Sequence, residues 1–564
     1  MNYMERYEHL CNANLSENDV AELKAICSDE EELKGRFNGD LQFGTAGMRG
    51  IMGMGSNRLN RYTVRRAAQG MAAWLSGTDL PQIAAIGYDS RHNSKLFAEV
   101  CAVAFAEKGI VTYLYDRLAP TPMLSYAVRE LGCGCGIVIS ASHNAGAYNG
   151  VKCYGPDGCQ MTDEPAAIVT NEISKIPYFI PETKSFDAYM AEGMIKYIQQ
   201  DLWESYYETV LREAVNPEII REANLNIVYT PLCGTGNEPV RTVLGRLGTN
   251  ITVVSCQEQP DGDFKTCEYP NPETDAALNE SYKIADNNPC DVILGTDPDC
   301  DRVAIAVPTE GGYRKLSGNE LGCLLLEYIL RARSAQNDIP DEAISVRSIV
   351  SSPLADKIAE KYGVKMLSVL TGFKYIGGAI LALEEIGHAE RFVFGFEESC
   401  GYLKGTYARD KDAVVASMLV CEVAAYFKLQ GKSIVDALNE IYETYGHYLA
   451  YVQSIELTGA DAMEKAANMM ADLRNNIPAT IGGAKVTIVR DYRSGIETNI
   501  ATGCENTIAL PKSNVLEFIL GEQGSVIARP SGTEPKVKFY YTAVSNTESE
   551  AKTLLDSMVA QMSV

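Results

Sequence analysis

The chain has 564 residues, 46% of them hydrophobic and 22% charged, a globular composition too long for one core, so about three to five domains are expected. Its formal charge of -24 repels nucleic acid and anionic lipid over the surface as a whole, and no apolar run nears the ~20 residues that span a bilayer, which argues against nucleic-acid or membrane partners. An anionic substrate then needs a locally positive pocket, and the arginines and lysines of the loops are where to look for one.

The opening residues, Met1-Asn2-Tyr3-Met4-Glu5-Arg6, lack the charged and apolar parts of a secretory signal, and neither end carries a lipidation motif. The 16 cysteines show no paired CxxC spacing, Cys133 and Cys135 included, and read as reduced thiols of a cytoplasmic protein.

Residues 1–40 read as a lead-in of short helices, with Ser16-Glu17-Asn18-Asp19 at a start and Val20, Leu23 and Ile26 at helical spacing. From Asn60 to Leu75 one apolar stripe predicts a helix, followed by a buried strand at Ile83–Ile86, a helix bearing Leu96, Val100 and Val103, and a strand at Val111–Tyr115. A helix near Met123–Leu131 and a strand at Gly136–Ile139 continue the alternation, which argues for parallel α/β layers because parallel strands need crossover helices. Tyr189–Val215 reads as a helical linker to a second α/β block that starts near Leu225 and includes Val292-Ile293-Leu294. A third block runs from a helix at Asn319–Ala332 to another at Ala413–Phe427. After about Ala450 come strands such as Val486–Val489 and Val537–Tyr541, then a closing helix with a Thr547–Glu550 capping box and an apolar face of Ala551, Leu554, Leu555, Met558 and Val559. The expected domains are 1–40, 41–200, 201–312, 313–445 and 446–564.

Five loops interrupt this pattern. Ser140-Ala141-Ser142-His143-Asn144 ends the strand Gly136–Ile139, and Asn149-Gly150-Val151-Lys152 follows, so a hydroxyl, an imidazole and an ammonium meet at a strand's carboxyl end; a polar turn with a solvated His is the alternative. In Gly295-Thr296-Asp297-Pro298-Asp299-Cys300-Asp301-Arg302 three alternating carboxylates lie between apolar strands and would repel one another unless a cation sat among them. An EF-hand needs Gly sixth and Glu twelfth, where this chain has Arg302 and Pro308, so Mg²⁺ with its few carboxylate ligands fits better than Ca²⁺; a solvated acidic turn is the alternative.

Thr371-Gly372-Phe373-Lys374 follows Leu370, and in Gly395-Phe396-Glu397-Glu398-Ser399-Cys400-Gly401 the paired acids beside a serine offer acceptors for sugar hydroxyls, while Arg409-Asp410-Lys411-Asp412 reads equally as a helix-start charge cluster. Arg529-Pro530-Ser531-Gly532-Thr533-Glu534-Pro535-Lys536 supplies forked donors, hydroxyls and a flexible Gly for a phosphate dianion, or forms a tight turn. Phe43-Gly44-Thr45-Ala46-Gly47-Met48-Arg49-Gly50 is similar, and its Arg49 reads as a second phosphate contact or as incidental.

These five loops, in this order from Phe43 to Lys536, resemble the α-D-phosphohexomutase superfamily. The resemblance implies an α/β fold of four domains around a central cleft, three related α/β domains with mixed sheets and a C-terminal α+β domain. It also implies that Ser142 is carried as phosphoserine, with Asp297, Asp299, Asp301 and a phosphoserine oxygen holding Mg²⁺. Lys152 and His143 resemble the proton-transfer residues and Glu397 and Ser399 the sugar-reading pair. Arg529, Ser531, Gly532 and Thr533 resemble the clamp on the non-reacting phosphate; Thr371, Gly372 and Lys374 resemble further substrate contacts, and Arg49, Arg302 and Lys411 surround the transferred group. In the superfamily the serine loop usually continues Asn-Pro, whereas here Asn144 is followed by Ala145 and Gly146, a change expected to loosen the loop.

Phe43–Gly70 and Phe394–Val414 look closest to the phosphoglucomutase/phosphopentomutase branch. The activity so implied is an isomerase interconverting glucose 1-phosphate and glucose 6-phosphate, with glucose 1,6-bisphosphate as intermediate and activator. Mannose and ribose or deoxyribose phosphates are the alternatives, because Glu397 could accept either arrangement of one hydroxyl. A magnesium-dependent phosphatase and a non-catalytic sugar-phosphate sensor are the rival functions, and the pattern fits a monomer or a dimer equally.

Overall fold

The computed structural model describes residues 2–13, 15–44, 47–458, 461–531 and 536–563. These fall into two compact units: residues 1–318, 376–395 and 399–430 form the first, and 319–375, 396–398 and 431–564 the second.

In the first unit, helices α1 (Tyr3–Cys11), α2 (Glu17–Ala25) and α3 (Glu30–Phe37) form the expected lead-in. Ser16 caps α2 by accepting from the Asp19 amide, and the small core of Leu10, Leu23, Leu33, Phe37 and Tyr62 ties the lead-in to the next helix of the chain. Asn60 caps that helix, α4 (Arg61–Ser76), in a reciprocal box with Thr63, which ends the preceding loop and aims the apolar stripe of Val64, Ala68, Met71 and Leu75 into the main core. Beneath it lies a six-stranded sheet ordered β1-β5-β4-β2-β3-β6, made of β1 (Gly47–Ile51), β2 (Ile83–Tyr88), β3 (Val111–Leu114), β4 (Cys135–Ile139), β5 (Tyr148–Tyr154) and β6 (Ile195–Tyr197).

Strands β4, β2, β3 and β6 run parallel, with α5 (Ser94–Ala106) and α6 (Thr121–Glu130) as crossovers. Strand β5 is antiparallel to both β4 and β1. The sheet therefore changes sense at the turn between β4 and β5, which is the serine loop. The segment expected to be a helical linker contains β6 between helices Phe186–Ala191 and Gln200–Arg212. Ile195 is buried there and pairs in parallel with Thr112, so tertiary pairing overrides the helical periodicity.

A five-stranded sheet repeats the arrangement, in the order β11-β10-β9-β7-β8, with β7 (Asn226–Thr230), β8 (Asn250–Val253), β9 (Val292–Thr296), β10 (Val303–Thr309) and β11 (Gly312–Lys315). Strands β9, β7 and β8 are parallel, and β9, β10 and β11 are antiparallel in turn. The change of sense falls at the acidic loop between β9 and β10.

In the second unit β12 (Ile344–Ser348) and β13 (Lys365–Val369) pair in parallel. Next in the chain come β14 (Phe392–Glu397) and β15 (Gly401–Leu403), of which residues 392–395 and 401–403 belong to the first unit. An antiparallel seven-stranded sheet then takes the order β16-β24-β23-β22-β19-β20-β21, and a small hairpin of β17 (Thr480–Ile481) and β18 (Ala484–Lys485) stands apart. The large sheet comprises β16 (His447–Glu456), β19 (Ile488–Asp491), β20 (Ile496–Asn499), β21 (Glu505–Thr507), β22 (Leu516–Ile519), β23 (Gly524–Pro530) and β24 (Lys536–Ser545). Val486, predicted to start a strand, lies ahead of β19 and is buried in the core with Phe518, Val526, Phe539 and Met558. Thr547 caps the last helix, Glu548–Met562, by accepting from the Glu550 amide, while the Glu550 carboxylate takes the Ser545 hydroxyl.

Candidate active site

The apolar strand β4 is buried along its whole length and delivers Ser142 to its carboxyl end. Ser142 is buried and has φ 50°, a left-handed conformation that L-residues with a Cβ disfavour. Its amide donates to Ser140 Oγ at 2.8 Å and its hydroxyl donates to Asp297 Oδ2 at 2.7 Å, with His143 Nδ1 3.2 Å from Ser142 Oγ. The loop in which Ala145 and Gly146 follow Asn144 is tied down by Arg91, whose guanidinium donates to the carbonyls of Ser142, Asn144, Ala145 and Tyr148.

The acidic loop is built by the same logic from β9. Asp297 Oδ1 accepts the amides of Asp301 and Arg302, at 3.1 and 3.0 Å, which folds the turn. Thr121 donates its hydroxyl to Asp299 Oδ2 at 3.0 Å, while its amide donates to the Asp299 carbonyl. Lys152, on β5, places its ammonium 2.6 Å from Asp299 Oδ2 and 3.1 Å from Asp301 Oδ2. Lys411 lies 3.2 Å from the latter oxygen, and Asp410 beside it is held by Tyr154 and Gln160. Arg302 donates to Glu273 at 2.8 Å and Arg49 to the Asn144 side chain at 2.7 Å.

Asp297, Asp299 and Asp301 are all buried and offer oxygens within 4.8 Å of one another, the only such cluster of metal-ligating side chains among the described residues. Asp299 Oδ1 and Asp301 Oδ1 have no hydrogen-bond partner although both are buried, a deficit that a cation would fill. An all-oxygen carboxylate set fits a hard divalent ion. The local charges are strongly perturbed. Burial, reinforced by the charges of Asp299 and Asp301, pushes the Asp297 carboxyl well above its usual range. At Asp299 burial acts the same way, but Lys152 outweighs it and holds that carboxyl far below the usual range. Burial would lower Lys152, yet Asp299 and Asp301 keep its ammonium above its ordinary value. The positive charge of Arg302, followed by burial and Arg49, holds the His143 imidazole well below its ordinary value and so neutral near pH 7.

The second unit gathers other predicted residues. The Gly372 amide, in a backbone with φ 113°, donates to Glu397 Oε1 at 2.7 Å, so the Thr371-Gly372 turn and the Glu397 loop meet. Glu398 accepts the Ser348 hydroxyl at 3.0 Å. Lys374 lies over the Tyr375 ring, 5.1 Å from its centroid. Arg529, on β23, lies opposite Lys538 on β24, and the Ser531 amide donates to the Lys536 carbonyl. Burial and the charge of Glu398 push the Tyr540 hydroxyl up to about 12, against the opposing charge and hydrogen bond of Arg529. Gly532 and Thr533 lie outside the described residues, and Ser399 belongs to the first unit.

Sequence reasoning missed Asp89, Arg91, Thr121 and Glu273. Asp89-Ser90-Arg91 directly follows β2, and the signal that could have found it is that position: the carboxyl ends of parallel strands are where polar residues of a site gather.

Against known proteins, the family models described as phosphoglucomutase/phosphomannomutase alpha/beta/alpha domains I, II and III and C-terminal domain match residues 40–178, 204–312, 317–445 and 484–561. A phosphoglucomutase of Staphylococcus haemolyticus (strain JCSC1435) is 37% identical over 507 residues, 89% of this chain and 90% of its own length. Among solved structures, the open form of Paramecium pp63/parafusin, a phosphoglucomutase, aligns with a TM-score of 0.69 at 16% identity, covering 93% of this chain and 94% of that one. Aspergillus fumigatus N-acetylphosphoglucosamine mutase in complex with GlcNAc-6P and magnesium aligns with a TM-score of 0.52 at 16% identity, covering 93% and 96%.

Proposed function

We infer that this chain, which belongs to the phosphoglucomutase/phosphomannomutase family, is an isomerase that interconverts glucose 1-phosphate and glucose 6-phosphate by way of a phosphorylated Ser142 and a glucose 1,6-bisphosphate intermediate. The observation that carries the reading is the buried Ser142 hydroxyl, 2.7 Å from one member of a carboxylate triad whose other two members leave oxygens unpartnered.

Magnesium would be held by Asp297, Asp299, Asp301 and an oxygen of the phosphorylated Ser142, where it would neutralise charge on the phosphoryl oxygens. The A. fumigatus relative in complex with magnesium supports that choice of metal. The rest of the cycle belongs to this chain's own groups. The free hydroxyl of the sugar monophosphate attacks phosphorus as the bond to Ser142 Oγ breaks, so the phosphoryl group passes to the sugar and the serine is left bare. His143, 3.2 Å from Ser142 Oγ, and Lys152, held by Asp299 and Asp301, move the protons between the two hydroxyls. Arg49, Arg302 and Lys411 add positive charge around the group in transit. Return of the other phosphate from the bisphosphate to Ser142 completes the exchange, and burial of that serine limits hydrolysis.

Glu397, Ser399, Thr371, Gly372 and Lys374 are proposed to read the sugar, and Arg529, Ser531, Gly532 and Thr533 to bind the phosphate that is not in transit. The curated relative named phosphoglucomutase favours glucose over mannose or pentose phosphates. Sixteen cysteines held as thiols rather than disulfides support a cytoplasmic location.

Mass spectrometry of the Ser142 peptide from active enzyme tests the reading, together with phosphate release from glucose 1-phosphate. A mutase carries phosphate on Ser142 and releases almost none to water. A phosphatase releases it in proportion to substrate consumed, and a sensor leaves Ser142 unmodified; either result overturns the assignment.

A further inference from the structure

The left-handed backbone of Ser142 needs a restraint, and a buried arginine outside every motif of the sequence supplies it. Arg91 follows β2 and is buried. Its Nη1 donates to the carbonyls of Ala145 at 2.9 Å and Tyr148 at 3.0 Å, and its Nη2 donates to those of Ser142 and Asn144. Asp89 backs it from behind: one carboxylate oxygen lies 3.3 Å from Nε, and the other accepts the Arg91 amide at 3.0 Å and the Ser94 hydroxyl at 2.7 Å.

A further contact comes from the domain of the five-stranded sheet. The ring of Phe264 covers the guanidinium with its centroid 5.0 Å away. His92 pairs with Asp263 at 2.6 Å. Gly146 abuts the same segment so closely that a Cβ on it would lie 2.7 Å from the Gly262 carbonyl oxygen.

We propose that Arg91 is the positioning residue of the nucleophile: together with the Asp261–Phe264 segment it fixes the serine loop so that Ser142 keeps its left-handed backbone and presents Oγ to Asp297. The inference rests on the reading that Ser142 carries the phosphoryl group. A planar guanidinium has five donors in a rigid fork and reaches four carbonyls at once, which the three donors on one ammonium nitrogen cannot do. Four carbonyls gathered around one cation also fix a loop that contains no proline from Ser140 to Tyr148. Arg91 itself donates only to backbone carbonyls of the loop, so its loss moves Oγ and leaves the predicted sugar and phosphate contacts intact.

Arg91→Lys keeps the charge and removes the fork. Its kcat is expected to fall about 10²-fold, as misplacement of a reacting atom by an ångström does, while KM for glucose 1-phosphate stays within about threefold of the parent. Single-turnover transfer from phosphorylated Ser142 to substrate should slow by the same factor as kcat. A kcat within about threefold of the parent, or a transfer rate that does not fall, overturns the proposal. If the variant fails to fold, as read from its melting curve, Gly146→Ala provides the second test, because it separates the loop from Gly262 without touching the guanidinium. It should show the same selective loss of kcat, about tenfold, and a parent-like kcat overturns the proposal. A parent enzyme that turns over with Ser142 never phosphorylated overturns the functional reading and this inference together. A phosphorylated parent beside an Arg91→Lys variant of unimpaired transfer overturns the inference alone.

Discussion

Ser142 Oγ faces a carboxylate and an imidazole nitrogen, and the serine and the acid triad each suggest a different measurement. Ser142→Ala removes the phosphoryl carrier, so turnover should fall by roughly 10³-fold or more while binding of glucose 1-phosphate measured by calorimetry stays within a few-fold. Retained turnover would assign the chemistry elsewhere. Asp299→Asn deletes one charge of the triad and breaks the short pair with Lys152; the Mg²⁺ concentration for half-maximal activity should rise about tenfold or more, and an unchanged activation curve would count against the site. Both residues were legible in the sequence because their chemistry is local: a serine and a histidine side by side, and three carboxylates at alternate positions with one arginine, Arg302, beside them. Arg91 was not, because its worth lies in carbonyls 51 to 57 positions away in the chain, and no local pattern marks a donor for distant backbone.

Among the elements, Arg65 of α4 forms a part-buried ion pair with Glu107, the residue that caps the end of α5. Arg65 Nη2 donates to both oxygens of Glu107, at 2.8 and 2.6 Å, and Thr183 adds its amide to the same carboxylate at 2.9 Å. Burial would raise Glu107, but these partners outweigh it and hold its carboxyl below the usual value. A group lowered in this way stabilises the fold above its unfolded value near ~4.3, and that contribution is lost as pH falls through the folded value. Glu107→Gln should therefore lose about 2 kcal/mol in urea unfolding at pH 7, with the gap to the parent closing as pH falls below ~4.3. A gap that persists in acid would show that packing and not charge sets the loss. At this scale α4, β2, β4 and the helix Ala413–Lys428 follow from apolar periodicity and a capping Asn60. The three-residue strand β6 and the short strands β20 and β21 did not, since so few residues carry no period and are fixed by the neighbour they pair with.

For the molecule as a whole, the charge of -24 coexists with lysines and arginines drawn to one buried set of acids. Ligands that bind only the folded site should add stability: at one hundred times its dissociation constant, Mg²⁺ contributes about 2.7 kcal/mol to the domains that hold it. The melting transition should rise on adding Mg²⁺ and return on chelation, and a transition indifferent to the ion would argue that the unpartnered oxygens of Asp299 and Asp301 serve otherwise. The alternation of helix and strand was readable from apolar periodicity, whereas the reversal of strand sense within two sheets came only from the family resemblance, which implied mixed sheets, because periodicity reports burial and not direction. That reversal makes each of the two key loops the tip of a two-stranded ribbon, β4–β5 and β9–β10. Ribbon tips are held by hydrogen bonds on both flanks, so the gap between the serine oxygen and its facing carboxylate behaves as a machined tolerance set by strand register. Lengthening either tip by two residues would open that gap even with every side chain of the site retained.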